Sequence, residues 1–227
     1  MPASCLLYFI TDRTALAPDE PTRRRLLLEK IAEAARNGVD YIQLREKDLQ
    51  TRDLESLARE AVAILAQLRT ENRHLRTALL INSRTDIARA AAAAGVHLRS
   101  NDLSPQEVRA MWTKCGAGAL ARENSPRAPL IAVSCHSPAE VAKAAAEGAT
   151  FAVFAPVFEK KDAPGTQSTG LPLLKKACQA KIPVLALGGI TLANAQSCLE
   201  AGAAGIAAIR LFQENRIGEV VKALRPR

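Results

Sequence analysis

The stretch VLALGGITLANAQSCLEAGAAGIAAI, residues 184–209, contains one complete unit of the fold. Val184 to Leu187 is a short apolar run, too short for a helix. Gly188-Gly189 breaks it, and Leu192 to Glu200 reads as a helix. Gly205 to Ile209 is a second apolar run. Two apolar runs separated by one helix mark a parallel strand–helix–strand crossover.

The same unit recurs along the rest of the chain. Leu6 to Ile10 reads as strand one, and Arg23 to Asn37 as the helix after it, stopped by Gly38. Tyr41 to Leu44 is strand two, followed by a helix from about Asp53 to Arg69. Ala78 to Ile81 is strand three, with a helix from Asp86 to Ala94 ended by Gly95. Val96 to Leu98 is strand four, and Ser104-Pro105-Gln106-Glu107 opens a helix with a cap, a first-turn proline and an acid. Leu130 to Val133 is strand five, and Ser137-Pro138-Ala139-Glu140 starts a helix running to Glu147. Phe151 to Ala155 is strand six, with a long loop to Gly170, and Ile217 to Leu224 is the last helix. Eight strands alternating with helical stretches predict an α/β fold, a single (β/α)8 TIM barrel over residues 1–227. Residues 114–129 are rich in Gly, Ala, Pro and Ser and read as a surface-loop insertion. A doubly wound open sheet is the rival, but no Gly-x-Gly-x-x-Gly follows strand one.

Composition narrows the class. With 48% apolar and 24% charged residues among 227, the composition is that of an ordinary soluble globular chain and speaks against disorder and fibrous repeats. No apolar run approaches the roughly 18 residues of a membrane span. Met1 to Ile10 lacks a basic leader, so no signal peptide is expected. Five dispersed cysteines without a Cys-x-x-Cys pair exclude a disulfide scaffold and a zinc ribbon. A reducing, cytoplasmic location is the expectation. The net charge of +8 favours anionic partners. Only eight aromatics offer stacking surfaces, which speaks against nucleic acid. Small phosphorylated molecules are the other candidates. Oligomeric state is left open, a homo-oligomer included.

In such barrels the chemistry gathers where the strands end. Strand two ends in Gln43-Leu44-Arg45-Glu46-Lys47, and alternation puts Gln43, Arg45 and Lys47 on one face if the strand continues that far. A guanidinium forks onto phosphate oxygens and an ammonium adds a point charge. The plainer reading is a solvated basic strand end. Gly188-Gly189-Ile190-Thr191 can cradle an anion on bare backbone amides at a helix start, or can simply be a tight turn. The loop from Pro156 to Gly170 is either a lid over phosphate or a solvated loop. Asp102, beyond strand four, reads as a turn residue or as an anchor for Mg²⁺ completed by phosphate and water. His136 reads as an acid/base or as a structural residue. The three histidines form no metal-spaced cluster.

Taken together, these segments resemble the thiamine phosphate synthase family over nearly the whole chain. The resemblance rests on Tyr8-Phe9-Ile10-Thr11-Asp12, Gln43-Leu44-Arg45-Glu46-Lys47, Ile81-Asn82, and Gly95-Val96-His97-Leu98 with Asp102. It continues through Val133-Ser134-Cys135-His136, Pro156-Val157-Phe158, Val184 to Ile190, and Ala201 to Gly205. It implies a (β/α)8 barrel that joins hydroxymethylpyrimidine diphosphate to thiazole phosphate and releases pyrophosphate with Mg²⁺. It further implies that Gln43, Arg45, Lys47 and Asn82 hold the diphosphate substrate, and that Asp102 binds Mg²⁺. Ser134 lies against the pyrophosphate or the reacting centre, and Lys160 reaches in from the strand-six loop. Gly188 and Gly189, with Ile209 and Arg210 at the end of strand eight, receive the thiazole phosphate. Arg45, Lys47, Ser134 and Lys160 are the expected catalytic residues.

Four positions depart from the family pattern. Ser83 stands where an aspartate usually supplies a second metal ligand, and Arg99-Ser100 replaces Gly-Gln. The stretch after strand six is shortened to Glu159-Lys160-Lys161, and Arg210 replaces a phosphate-binding serine. Arg210 either grips the phosphate or points away, leaving the contact to Ile209 and the backbone. A TenI-like thiazole tautomerase, using a histidine as acid/base in a segment like Ser134 to Ser137, is the alternative function. A non-catalytic phosphate-binding barrel is the third reading.

Overall fold

Strands covered on both faces must be apolar on both faces, and the strands here are near-continuous apolar runs for that reason. The computed structural model describes residues 5–114, 128–159 and 167–225. The strands are β1 (Leu6–Ile10), β2 (Tyr41–Leu44), β3 (Ala78–Asn82) and β4 (Gly95–Leu98). They continue as β5 (Leu130–Cys135), β6 (Phe151–Phe154), β7 (Val184–Ala186) and β8 (Gly205–Ala208). Each pairs in parallel with the next, and β8 pairs with β1 to close the barrel. Closure excludes the open sheet.

The helices are α1 (Glu20–Arg36), α2 (Thr51–Glu71), α3 (Thr85–Ala90), α4 (Pro105–Lys114) and α5 (Pro138–Ala146). They continue as α6 (Gly170–Ala177), α7 (Leu192–Glu200), α8 (Arg210–Gln213) and α9 (Ile217–Leu224). In α2 the buried residues Leu54, Leu57, Ala58, Ala61, Leu65 and Leu68 recur every three or four positions, forming one apolar stripe toward the barrel. At the start of α4, Ser104 accepts from the Glu107 amide while the Glu107 carboxylate accepts from Ser104, a reciprocal cap. Asp19 and Ser137 cap α1 and α5 in the same manner, each accepting from an amide three residues on. No helix among the described residues is long and apolar enough to cross a membrane.

Period-two alternation divides the apolar residues into two cores. Leu7 and Phe9 of β1 face outward to the helices, whereas Tyr8 and Ile10 face into the barrel with Leu80, Ala132, Phe151, Val153 and Leu185. Gly95 and Gly205 lie opposite Leu130 and Leu6 in the ladders. A Cβ at either would sit 1.8 or 2.0 Å from the neighbouring strand's carbonyl oxygen.

Several element boundaries differ from the sequence expectation, whereas β2 ends at Leu44 as expected. Strand alternation therefore does not carry Arg45 and Lys47. β8 stops at Ala208, and Arg210 opens the single turn α8. Neither α6 nor α8 was assigned a range from the sequence. α8 is a single turn, and α6 opens on Gly170 with Pro172 in its first turn, so neither shows a helical signal in the sequence. The expected insertion at 114–129 falls largely outside the described residues.

Candidate active site

Alternation brings Ile10, Gln43, Asn82, His97, Ser134, Leu187 and Ile209 to the inner rim of the barrel, where they line a cavity of about 850 Å³. The rim is asymmetric. From β2 to β5 it is polar, with Gln43, Asn82, His97 and Ser134. From β7 through β8 to β1 it is apolar, with Leu187, Ile209 and Ile10. Such a cavity offers one wall to hydrogen-bonding or charged groups and one to a ring.

Arg45 and Lys47 also line this cavity, from the loop after β2. A buried brace holds that loop in place of the ladder. Glu46 turns the other way and accepts from the Thr11 hydroxyl, and from the backbone N–H (3.0 Å) and the guanidinium (3.3 Å) of Arg13. Thr11 in turn accepts from the Arg45 amide at 3.0 Å. Arg13, only 2% exposed, forks onto Asp48 at 2.7 and 2.9 Å and reaches Glu20 at 2.9 Å. Burial pushes the Glu46 carboxyl up, while Thr11 and Arg13 pull it back. Alternate residues of 45–48 therefore face cavity and brace.

A polar chain runs along the tops of β2 to β4. The Gln43 amide donates to Asn82 Oδ1 at 2.8 Å and Asn82 donates to Ser83 Oγ at 3.3 Å, with the Ser83 hydroxyl close enough to Asp102 to lower its pKa. Asp102 also accepts from the Arg99 amide at 2.8 Å and its guanidinium at 3.1 Å. Burial alone would raise its pKa, but these donors hold the carboxyl below its usual value, so it is ionised. Ser83 sits at a φ of 59°, with its amide on the His97 carbonyl. Among the described residues no group of three or more Asp, Glu, His or Cys converges. Asp102 thus stands as a single carboxylate already held by an arginine.

Deeper in the barrel, Tyr8 Oη lies 3.0 Å from His97 Nδ1, and His97 Nε2 lies 2.7 Å from Ser134 Oγ. Burial, reinforced by the Arg45 charge, drives the His97 pKa from 6.5 down to about 3. The imidazole is neutral. His136, on the cavity wall, donates from Nδ1 to the Ala155 carbonyl at 2.7 Å, which leaves Nε2 without a proton in the neutral ring.

Gly188 and Gly189 have φ of 100° and 63°, and a Cβ at either would strike the loop after β6, at Pro156 or at the Glu159 carbonyl. Their carbonyls are taken, by the Phe158 amide and the Asn194 side chain. Among the described residues the amides of Gly189 and Ile190 donate to no backbone acceptor. They sit just before α7, where an anion would be favoured. Gly188, Gly189, Ile209 and Arg210 line the same cavity as Arg45. Lys160 lies outside the described residues.

The structure brings Gln43, Arg45, Lys47, Asn82, Ser134, Gly188, Gly189, Ile209 and Arg210 around one cavity, with Asp102 behind Ser83. Sequence reasoning assigned no role to Tyr8, His97, Thr11, Arg13 or Glu46. A histidine inside an otherwise apolar strand was the available signal for His97.

The thiamine monophosphate synthase family model matches residues 7–212. The chain is 37% identical over 227 residues to the thiamine-phosphate synthase of Methanoculleus marisnigri, covering 97% of this chain and 94% of that protein. It is 36% identical over 207 residues to the enzyme of that name from Syntrophomonas wolfei, covering 89% and 86%. The thiamine phosphate pyrophosphorylase structure from Pyrococcus furiosus superposes with a TM-score of 0.72, at 26% identity and 98% coverage of both chains. The closed eight-stranded barrel is thus shared with that structure over nearly its full length, and the chain belongs to the thiamine monophosphate synthase family.

Proposed function

We propose that this single-domain barrel is a thiamine phosphate synthase, a transferase joining hydroxymethylpyrimidine diphosphate to thiazole phosphate. Family membership supports the activity. The observation that carries the residue assignments is the convergence of two anion-binding features on one cavity. Arg45 and Lys47 stand on one side, and the Gly188-Gly189 turn with Arg210 on the other.

In this reading Gln43, Arg45, Lys47 and Asn82 hold the diphosphate, with Ser134 beside it. Gly188, Gly189, Ile209 and Arg210 receive the thiazole phosphate, and the apolar wall of Leu187, Ile209 and Ile10 takes the rings. The bond between the pyrimidine methylene carbon and the diphosphate oxygen breaks, with both electrons leaving on the diphosphate. The thiazole nitrogen then supplies the lone pair for the new carbon–nitrogen bond. A departing polyanion is stabilised by fixed positive charge more than by a strong base. That matches a cavity with Arg45 and Lys47 at its mouth and a neutral His97 in its wall. Lys160 would reach the same oxygens from the β6 loop. Mg²⁺, when bound, supplies further charge neutralisation there. The single carboxylate of Asp102 fits it only with diphosphate oxygens and water completing the shell.

The test is pyrophosphate release with both substrates and Mg²⁺ present. Release that requires both supports the synthase. Conversion of a thiazole phosphate isomer without pyrophosphate release would replace it with the tautomerase.

A further inference from the structure

Tyr8, His97 and Ser134 come from three different strands and form a hydrogen-bonded line from the centre of the barrel to the cavity wall. Tyr8 is fully buried, packed edge-on against Tyr41 and Phe151. Phe151 and the surrounding aliphatic side chains offer no lone pair to a hydroxyl, and Tyr41, packed edge-on, makes no hydrogen bond with Tyr8. Among the described residues His97 Nδ1 is the hydrogen-bond partner of the Tyr8 hydroxyl. A buried O–H left without an acceptor is costly, so Tyr8 donates and Nδ1 accepts. The imidazole is neutral, and its proton therefore sits on Nε2. Nε2–H then donates to Ser134 Oγ, whose own proton has no acceptor among the described residues.

We propose that Tyr8 is a positioning residue: through His97 it sets the direction of this line, so that the Ser134 hydroxyl is left to donate to an anionic oxygen in the cavity. The opposite direction would turn Ser134 into an acceptor facing the same oxygen. It would also strand the phenol proton in the apolar interior. The proposal rests on the reading of this cavity as a diphosphate site.

Two measurements test it. The first is ¹⁵N NMR of His97 in the intact protein, which separates the nitrogen carrying the proton from the bare one. An Nε2–H tautomer is expected. An Nδ1–H tautomer overturns the proposal, whatever the activity. The second is a double-mutant cycle on the affinity for inorganic pyrophosphate, measured by calorimetry. Tyr8→Phe is expected to weaken binding about tenfold, the scale of one hydrogen bond to a charged group. In the Ser134→Ala background the same change is expected to cost less than about twofold, because the terminal donor is already gone. Equal losses in both backgrounds mean that Tyr8 acts only by packing, and overturn the proposal. Should Tyr8→Phe fail to fold, the wild-type tautomer decides alone. Absence of pyrophosphate release from the two substrates counts against the synthase reading and leaves the tautomer result standing, so the two failures are distinct.

Discussion

Arg45 and Lys47 lie on a loop, and their replacement removes charge without opening the core. Arg45→Ala or Lys47→Ala is expected to lower turnover by about 10², or about 3 kcal/mol of charge stabilisation. Thermal unfolding should stay close to wild type, and steady-state pyrophosphate release reads the effect. Asp102 leads to a second expectation. Its carboxylate is held by Arg99, and among the described residues it belongs to no group of three or more Asp, Glu, His or Cys that could hold a metal. Mg²⁺ should bind weakly to the ligand-free protein and tightly once pyrophosphate is present. Arg99→Ala should tighten it further in calorimetric titrations, and strong binding without pyrophosphate would contradict this account. His97 makes a prediction about pH. Its pKa is about 3 in the fold against an ordinary 6.5. Below 6.5 the unfolded chain binds a proton that the folded protein does not. Stability from this group is complete above 6.5 and is lost as pH falls toward 3, at about 1.4 kcal/mol per pH unit. His97→Gln should flatten the stability slope between those values in urea titrations, and an unchanged slope would show that the imidazole is protonated in the fold.

At the scale of elements, the segment after β2 is held by a brace from β1 and the turn that follows it. Arg13 is the centre, with Glu46 and Asp48 on one side and Glu20 on the other. Arg13→Met leaves the buried Glu46 without its cation, and the expected loss is about 3 kcal/mol by chemical denaturation. Adding Glu46→Gln removes the unpaired charge and should recover about half of that loss. The single variant should also raise KM for the diphosphate substrate, because the Thr11–Arg45 amide bond depends on the same loop position. Recovery of stability without recovery of KM would show that Arg13 positions Arg45 independently of Glu46.

For the whole molecule, closure depends on the contact between β8 and β1. At Gly205 a methyl group would overlap the Leu6 carbonyl, which belongs to the ladder itself. Gly205→Ala should therefore cost about 4 kcal/mol or more. Gly38 offers the contrast: its φ is 79°, but a Cβ there meets nothing within 4 Å. Gly38→Ala should cost only about 1 kcal/mol, the penalty of the left-handed backbone. Denaturant midpoints of the two variants separate loss of closure from local strain.

The amino-acid order by itself determined the repeating strand–helix unit, the ends of β1 and β2, and the helices α7 and α9. These are local properties: short apolar runs, a 3.6-residue stripe and glycine stops. The strand-end position of Gln43, Asn82, Ser134 and the Gly188-Gly189 turn was legible for the same reason. What only the tertiary structure decided was which polar residues meet. Arg45 and Lys47 face the cavity although β2 has already ended, because Arg13, more than thirty residues earlier in the chain, clasps Glu46 and Asp48, which alternate with them. Tyr8 and His97 stand 89 positions apart, and each looks like a lone polar residue in an apolar strand. Ring closure turns alternate residues of eight strands into one inner layer, and a contact across that layer leaves no periodicity in the sequence.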